Sequence, residues 1–190
     1  MHFRTLIAVL ILLFAGMAMA IEEAKYSVIE KSNEFELRAY SPRILAETLV
    51  SGTLDEASSA GFRLIADYIF GNNTSPSGTD EKISMTAPVA AEQTGKQWRV
   101  HFVMPSKYTF ETIPKPNNIA VVLREVPATN YAVIRFSGFA GEDKSANKTT
   151  DLLTWLDSKG ITPTGKPEIA RYNPPWTIPF FRRNEIMISY

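Results

Sequence analysis

The feature that most constrains the fold of this chain is a repeat of its own pattern after 86 residues. With this offset, Leu37-Arg38 falls on Leu123-Arg124, and the stretch from Trp98 to Met104 falls on the stretch from Asn184 to Tyr190. Self-similarity at one fixed offset is typical of an architecture built from repeated units. Two similar halves are therefore expected.

Each half has the same predicted order of elements, which is strands, then a helix, then two more strands. The β-branched and aromatic residues of strands are concentrated in SVIE, FELRAY, RILAETLV, AVVLREV, YAVIRFSG, EIARY and RNEIMISY. A capping box of Thr53 and Glu56 predicts the start of the first helix. Residues at helical spacing mark both helices: Gly61, Leu64, Ile65, Tyr68 and Ile69 in the first, and Ala146, Leu152, Leu153, Trp155 and Leu156 in the second.

Helices that bury one stripe against an antiparallel sheet give an α+β fold. We predict duplicated strand-helix-strand halves that form a distorted antiparallel sheet or barrel flanked by two helices, in a single domain covering residues 21–190. A pseudo-twofold axis between the halves would create a cleft, and clefts at such junctions are favoured ligand sites.

The N-terminus is typical of a secretory signal. Arg4 precedes an apolar run from Leu6 to Ile21 that is short for a spanning helix, and Ala18-Met19-Ala20 has the small-x-small pattern of a cleavage site. We predict that residues 1–20 are a signal peptide and that the protein is exported, periplasmic or secreted. The alternative is an uncleaved anchor, so contact with a membrane is expected only through this segment.

Charge and cysteine content exclude several classes of function. The chain has 20 Lys and Arg and 20 Asp and Glu, and the first 20 residues contain one Arg and no acid, so the remainder carries a formal charge of −1. No nucleic-acid partner is expected, because such proteins usually show a basic excess. The absence of Cys excludes thiolate nucleophiles, Cys zinc sites and iron–sulfur clusters.

Sequence signatures of catalysis are also missing, and residues 21–190 contain a single histidine, His101. Alternation in WRVHFVM places Trp98 and Phe102 on a core face and His101 on the opposite face. The 86-residue offset sets His101 against Met187 in the matching strand. A His and a Met facing each other would be suitable axial ligands for haem iron, whereas a satisfied or surface histidine is the ordinary alternative.

Five separated motifs occur in order along the chain: KISMTAPV, WRVHFVMPSKY, PKPNN, IRFSGFAG and RRNEIMISY. Together they resemble the SOUL haem-binding protein family, over about Tyr26 to Tyr190. The resemblance implies an antiparallel barrel or paired sheets with two long helices and an internal duplication, and reversible, non-covalent binding of haem or other tetrapyrroles. It transfers no axial ligand. In KISMTAPV, the restricted backbone around Pro88 predicts a strand, KISMT, that breaks at Ala87-Pro88.

A porphyrin site needs an apolar slot, cations for the propionates and, optionally, an iron ligand. The candidates are His101 for the iron, Met85, Met104 and Met187 with Tyr108 and Tyr172 for the walls, and Arg99, Arg171 and Arg183 for the propionates. We therefore expect a haem carrier, buffer or scavenger that is not an enzyme. The alternatives are a general binder of small amphipathic ligands or lipids, and an enzyme that modifies tetrapyrroles.

Overall fold

The computed structural model describes residues 21–190, so the predicted signal peptide, residues 1–20, lies outside the described residues. The described chain contains thirteen strands, two α-helices and one 3-10 helix. The strands are β1 Glu22–Glu23, β2 Tyr26–Ser32, β3 Phe35–Tyr40, β4 Arg43–Ser51, β5 Asn73–Thr74, β6 Thr86–Ala87, β7 Val89–Thr94, β8 Gln97–Val103, β9 Lys115–Pro116, β10 Val122–Val126, β11 Thr129–Phe136, β12 Glu168–Arg171 and β13 Asn184–Ser189. The helices are α1 Leu54–Ile69, α2 Glu142–Ser158 and the 3-10 helix Pro179–Phe181.

Nine of these strands form one antiparallel sheet in the order β10-β4-β8-β7-β12-β13-β11-β3-β2. Apart from the outermost strand β2, which has no counterpart, strands three deep on each side flank the β7–β12 pair, and the 86-residue offset carries β4 onto β11 and β8 onto β13, which hold equivalent places on the two sides. The predicted α+β class, with two helices flanking an antiparallel sheet, is confirmed. The barrel form is not, because β10 and β2 are free edges and the sheet stays open.

Helix α1 begins with the predicted capping box. The Thr53 side chain accepts a hydrogen bond from the Glu56 N–H, and the Glu56 carboxylate accepts one from the Thr53 N–H. The helix buries an apolar stripe that includes Gly61, Ile65 and Ile69. A methyl group added at Gly61 would lie 2.5 Å from a carbon of Val100 on β8, so glycine permits the helix to approach the sheet this closely.

Helix α2 packs through a narrower stripe, in which only Leu152 and Leu156 are buried. Its first residue also joins the two helices, because the Glu142 carboxylate accepts a hydrogen bond from the Leu54 N–H at the start of α1. A carboxylate at this position is favourable, since the first N–H groups of a helix have no partner within the helix. The two helices therefore begin side by side.

Strand β8 divides its side chains between the two faces of the sheet as the alternation predicts. Val100 and Phe102 are fully buried in the core beneath the helices, where Met104 and Trp98 also pack. His101 points to the opposite face. We call these two faces the helix side and the open side.

The stretch KISMTAPV differs from its prediction. Residues 82–85 have no strand structure, and only Thr86–Ala87 forms a strand, β6, which pairs in parallel with β1. The Ala87-Pro88 peptide bond is cis. The predicted strand KISMT is therefore wrong in extent, although the break at Ala87-Pro88 lies where it was expected.

None of the helices in residues 21–190 has the length and apolar character required to cross a membrane.

Candidate functional site

The open side of the sheet carries a second, smaller apolar cluster with no helical residue in it. The cluster is formed by Tyr40, Ala90, Tyr131, Val133, Ala170 and Met187. Residues 22–25, which we call the strap, run across this face and pack Ala24 against the cluster. Two acidic side chains hold the strap in place. Glu22 accepts a hydrogen bond from the Ser106 N–H, and Glu23 forms an ion pair with Arg183. The strap covers a face that the helices leave uncovered.

A small cavity of about 30 Å³ lies beneath the strap, and we call it the inner cavity. It brings together three of the predicted residues, His101, Tyr172 and Met187. The His101 Nε2 atom lies 3.2 Å from a carboxylate oxygen of Glu168, and its Nδ1 atom is buried without a hydrogen-bond partner. The inner cavity has room for a water molecule but not for a tetrapyrrole.

Glu168 links the inner cavity to its surroundings. Burial opposes ionisation of its carboxyl group, but His101, Arg43 and the Tyr131 hydroxyl together hold the pKa of Glu168 below its ordinary value of 4.5. Burial, with the neighbouring Glu168 carboxylate, raises the pKa of Tyr131 to about 12. Glu168 is therefore an anion and Tyr131 a neutral hydroxyl at neutral pH.

Beside this cavity, the open side contains a buried ionic cluster centred on Glu185. Its carboxylate is fully buried and accepts two hydrogen bonds from Arg38, at 2.8 and 3.0 Å, one from Arg183 at 3.0 Å and one from the Tyr172 hydroxyl at 2.7 Å. The Arg183 guanidinium also stacks on the Tyr172 ring, 3.6 Å from its centroid. Although burial opposes ionisation, the hydrogen bonds and charge of Arg38 hold the pKa of Glu185 below 4.5.

A larger cleft of about 510 Å³ opens next to the inner cavity, and we call it the outer cleft. It shares four lining residues with the inner cavity: Glu23, Ala24, Arg43 and Val103. Its other apolar walls include Met104, Tyr108 and Phe110, and Lys25 adds a cation at its edge. The volume of the outer cleft lies in the usual range for small-molecule sites.

A third depression, the helix-side groove, has a volume of about 970 Å³ and lies between the starts of the two helices. Its apolar walls include Leu54, Trp98, Ile169 and Ile186, and Lys166 is its cation. This groove lies over the β7–β12 pair, where the cleft between the two halves was expected. It contains none of the nine predicted site residues.

The structure places the predicted residues in different parts of the molecule. His101, Met187 and Tyr172 line the inner cavity, Met104 and Tyr108 line the outer cleft, and Arg183 belongs to the ionic cluster. The remaining three line none of these cavities. Met85 is exposed, Arg99 is paired with Glu47 and Glu92 on the sheet, and Arg171 donates hydrogen bonds to Asp55 and the Ala140 carbonyl.

Sequence reasoning missed Arg43, which lies on the wall between the outer cleft and the inner cavity. Its guanidinium stands against the rings of Tyr40 and Tyr131, 5.0 and 5.3 Å from their centroids. Its Nη1 atom is buried and has no hydrogen-bond partner among the described residues. A buried N–H donor without an acceptor is costly and suits an anionic ligand group. Nothing in the sequence distinguished Arg43 from the other arginines.

The residues of the outer cleft suit a haem group, whereas His101 is not placed to ligate its iron. The outer cleft has the volume and apolar walls for part of a porphyrin, and the unpartnered Arg43 donor matches a propionate. His101 lines only the inner cavity, and Glu168 occupies its Nε2 atom, so it offers no iron ligand to the outer cleft, whereas Arg43 lines both. Within residues 21–190, no group of three or more His, Asp or Glu residues is arranged to hold a metal ion.

Comparison with known proteins supports both the family and the fold. A family model described as SOUL heme-binding protein matches residues 21–189. No curated protein matches the sequence. Among solved structures, an uncharacterized conserved protein from Listeria innocua is similar with a TM-score of 0.60 and 9% identity, over 83% of this chain and 92% of that one.

Two further solved structures are similar at the same level. The C-terminal domain of EcmrR has a TM-score of 0.58 and 12% identity, over 86% of this chain and 96% of that one. A Listeria innocua protein described as a hydrolase has a TM-score of 0.56 and 9% identity, over 84% and 93% of the two chains. At such low identity, these similarities concern the fold alone.

Proposed function

The chain belongs to the SOUL heme-binding protein family, and on that premise we propose that it binds haem or a related tetrapyrrole without a covalent bond. Its role would be that of a carrier, buffer or scavenger. We also propose that it acts after export, as the apolar N-terminal run suggests. N-terminal sequencing of the exported protein is expected to start at Ile21.

The observation that carries the proposal is Arg43, whose guanidinium has one donor atom without an acceptor. It lies where the outer cleft meets the inner cavity, and its buried Nη1 atom has no acceptor among the described residues. A propionate would supply that acceptor and a compensating charge. Lys25, at the edge of the same cleft, is available to a second propionate.

The remaining contacts would be apolar. Tyr108 and Phe110 are less buried residues of the outer cleft and would cover one face of the ring, removing it from water. Bound iron would supply redox and ligand-exchange chemistry, which depends on its axial ligands. His101 would become such a ligand only if the strap moved and the bond to Glu168 broke. A porphyrin without iron is therefore expected to bind by the same contacts.

We propose a binding protein and not an enzyme, because the two acids of the open side, Glu168 and Glu185, are held in ion pairs. Glu168 is bonded to His101, and Glu185 to Arg38 and Arg183, so neither is free to transfer protons. The alternative of a general binder for small amphipathic ligands uses the same cleft, without a preference for metalloporphyrins. Turnover of bound haem in the presence of a reductant would instead indicate the tetrapyrrole-modifying enzyme.

The test is a spectroscopic titration of residues 21–190 with ferric haem and with iron-free protoporphyrin. We expect saturable one-to-one binding of both, weakened about tenfold or more by Arg43→Met, since hydrogen bonds to charged groups contribute about 1.5–3 kcal/mol. Arg63→Met is the matched control, because Arg63 is exposed on α1, away from the cavities. His101→Ala is expected to leave affinity nearly unchanged.

Other results would redirect or refute the proposal. Ala146→Trp adds bulk to the helix-side groove, of which Ala146 is an exposed wall residue. If this change weakens binding and Arg43→Met does not, the ligand site is the helix-side groove. A Soret shift that is lost in His101→Ala would show that the strap opens and that the histidine reaches the iron. Failure of both ligands to saturate would refute tetrapyrrole binding.

A further inference from the structure

Five large apolar side chains protrude together at one end of the sheet, and we call them the aromatic tip. They are Phe139, Trp176, Ile178, Phe180 and Phe181, and each has between 63% and 82% of its surface exposed. A cluster of exposed apolar residues of this kind marks an interaction site. None of these residues lines a cavity described above or belongs to the ionic cluster.

The aromatic tip is a built unit of two loops. The Gly138 N–H donates to the Pro179 carbonyl at 2.9 Å, which joins the loop of Phe139 to the 3-10 helix. The Arg182 side chain donates to the carbonyls of Thr177 and Pro175, and its guanidinium lies 4.9 Å from the centroid of the Phe139 ring. The apolar side chains are therefore presented on a fixed backbone.

Part of the backbone of the tip is hydrogen-bonded within the unit. The carbonyls of Pro174, Pro175, Thr177, Ile178 and Pro179 all accept hydrogen bonds within the unit. Three of the residues from 173 to 183 are prolines, which have no N–H group. Unpaired backbone groups are costly in an apolar medium, so each of these pairings lowers the cost of bringing the tip to a lipid surface.

The charges beside the tip are positive. Residues 173–183 contain two arginines and no acid, and the loop 137–141 contains no charged residue. Lys144 donates to the Ser137 carbonyl beside this loop. Neither Arg182 nor Lys144 forms an ion pair with a carboxylate within the described part of the chain. Of the acids nearest in sequence, Glu142 is bonded to the Leu54 N–H and Asp143 remains exposed.

The start of the described chain lies close to the same end. Arg183 is two residues from Phe181 and contacts Glu23 at 3.0 Å, and Glu23 is two residues from Ile21, where the apolar N-terminal run ends. Two residues span at most about 7 Å. A membrane that holds the N-terminal run would therefore lie near the tip.

From these observations we propose that the aromatic tip docks the protein on the surface of an anionic lipid bilayer. Trp and Phe side chains favour the interface between headgroups and acyl chains, and adjacent cations favour anionic headgroups. Trp176, Phe180 and Phe181 enter the interface, while Arg182 and Lys144 face the headgroups. This contact is separate from the N-terminal segment, through which alone the sequence predicted membrane contact.

The experiment is flotation of residues 21–190, which contain the whole described fold, with two kinds of vesicle. One is phosphatidylcholine alone, and the other contains about one third phosphatidylglycerol. We expect binding to the anionic vesicles that decreases at high salt, because screened cations attract headgroups weakly. The tryptophan emission, to which the exposed Trp176 contributes beside Trp98 and Trp155, is expected to shift to shorter wavelength and to be quenched in part by brominated lipid tails. The unaltered protein gives this result without any substitution.

A matched pair of variants tests the location. Replacing Trp176, Phe180 and Phe181 with serine is expected to reduce vesicle binding about tenfold or more, because binding scales with the apolar area inserted. Ile119→Ser is the control, since Ile119 is an apolar residue outside the tip with 96% of its surface exposed. Equal binding by the triple variant and the native protein would overturn the proposal. The proposal would also be overturned if the native protein bound neither kind of vesicle and instead formed a dimer in solution that the triple variant did not form.

Discussion

The two faces of the nine-stranded sheet are stabilised in different ways. On the helix side, Phe102, Ile134 and Ile186 pack with the helices in an apolar core. On the open side, the buried Arg38 and Glu185 lie beside aromatic rings, and a four-residue strap replaces the helices. Burial of apolar area stabilises the first face, whereas ionic pairs on the second must offset the cost of removing charges from water.

This difference affects what each face can do. An apolar core tolerates little rearrangement, because each side chain fills the space left by its neighbours. The open side contains a cavity, two buried polar atoms without partners, on Arg43 and His101, and a cover held by few contacts. Ligand binding is therefore expected on the open side, with the helix side as its support.

The largest effect is expected from breaking the buried ionic cluster. Arg38 is 2% exposed and Glu185 is 0% exposed, so Arg38→Met leaves a buried carboxylate with Arg183 and Tyr172 as its remaining partners. Removal of one member of a buried ion pair costs about 3–5 kcal/mol. Urea unfolding of residues 21–190 would measure the loss.

A double-mutant cycle would separate the pair from its surroundings. Arg38→Met with Glu185→Leu is expected to be less destabilising than the sum of the two single changes, because the double variant leaves neither charge without the other. A loss below about 1 kcal/mol for Arg38→Met would contradict the view that ion pairs stabilise this face.

On the helix side, the sharpest test is Gly61→Ala. In an ordinary helix this change is stabilising by roughly 0.5–1 kcal/mol. Here the new methyl group would meet Val100 at 2.5 Å, so we expect a loss of about 1–3 kcal/mol from overpacking. Val100→Ala in the same chain is expected to recover part of that loss, and the absence of any recovery would place the strain elsewhere.

The sequence predicted the helix side better than the open side because alternation within one strand is a local signal. The period-two pattern of β8 was sufficient to place Val100 and Phe102 under the helices. The same alternation could have removed Arg171 from the predicted site residues. Ile169 belongs to the helix-side core, so Arg171, two residues later in β12, faces that side as well, where it bonds Asp55.

The open side depends on pairings that no local pattern contains. His101 meets Glu168 because β7 lies between β8 and β12, with Ala90 paired to His101 on one side and to Ala170 on the other. Arg38 meets Glu185 across 147 positions of the chain. The offset that set His101 against Met187 did place both at one cavity, but it gave no sign of the carboxylate that occupies the histidine.

Acid pH should weaken the open side selectively. The pKa of Glu168 is lowered in the folded protein, so its ionised form stabilises the fold above about pH 4.5, and this contribution is lost as the pH falls below that value. In Glu168→Gln, the decrease in stability between pH 6 and pH 3 is expected to be smaller than in the native protein, because the variant has no carboxyl group to protonate at this position. Parallel curves for the two proteins would show that Glu168 does not contribute to acid sensitivity.

The smallest effect on stability, and the most informative about access, is expected from releasing the strap. Glu23 is partly exposed and contacts Arg183 at 3.0 Å, so Glu23→Gln should cost less than about 1 kcal/mol in global stability. Hydrogen exchange of the amides in residues 22–24 is nevertheless expected to become faster. Only two paired residues between β1 and β6 and a few other hydrogen bonds hold this segment. Glu92→Gln is the control, because Glu92 also pairs with an arginine, Arg99, but lies outside the strap. If both variants leave exchange in the strap unchanged, the strap is fixed by packing of Ala24, and the inner cavity is closed to ligands in the native state.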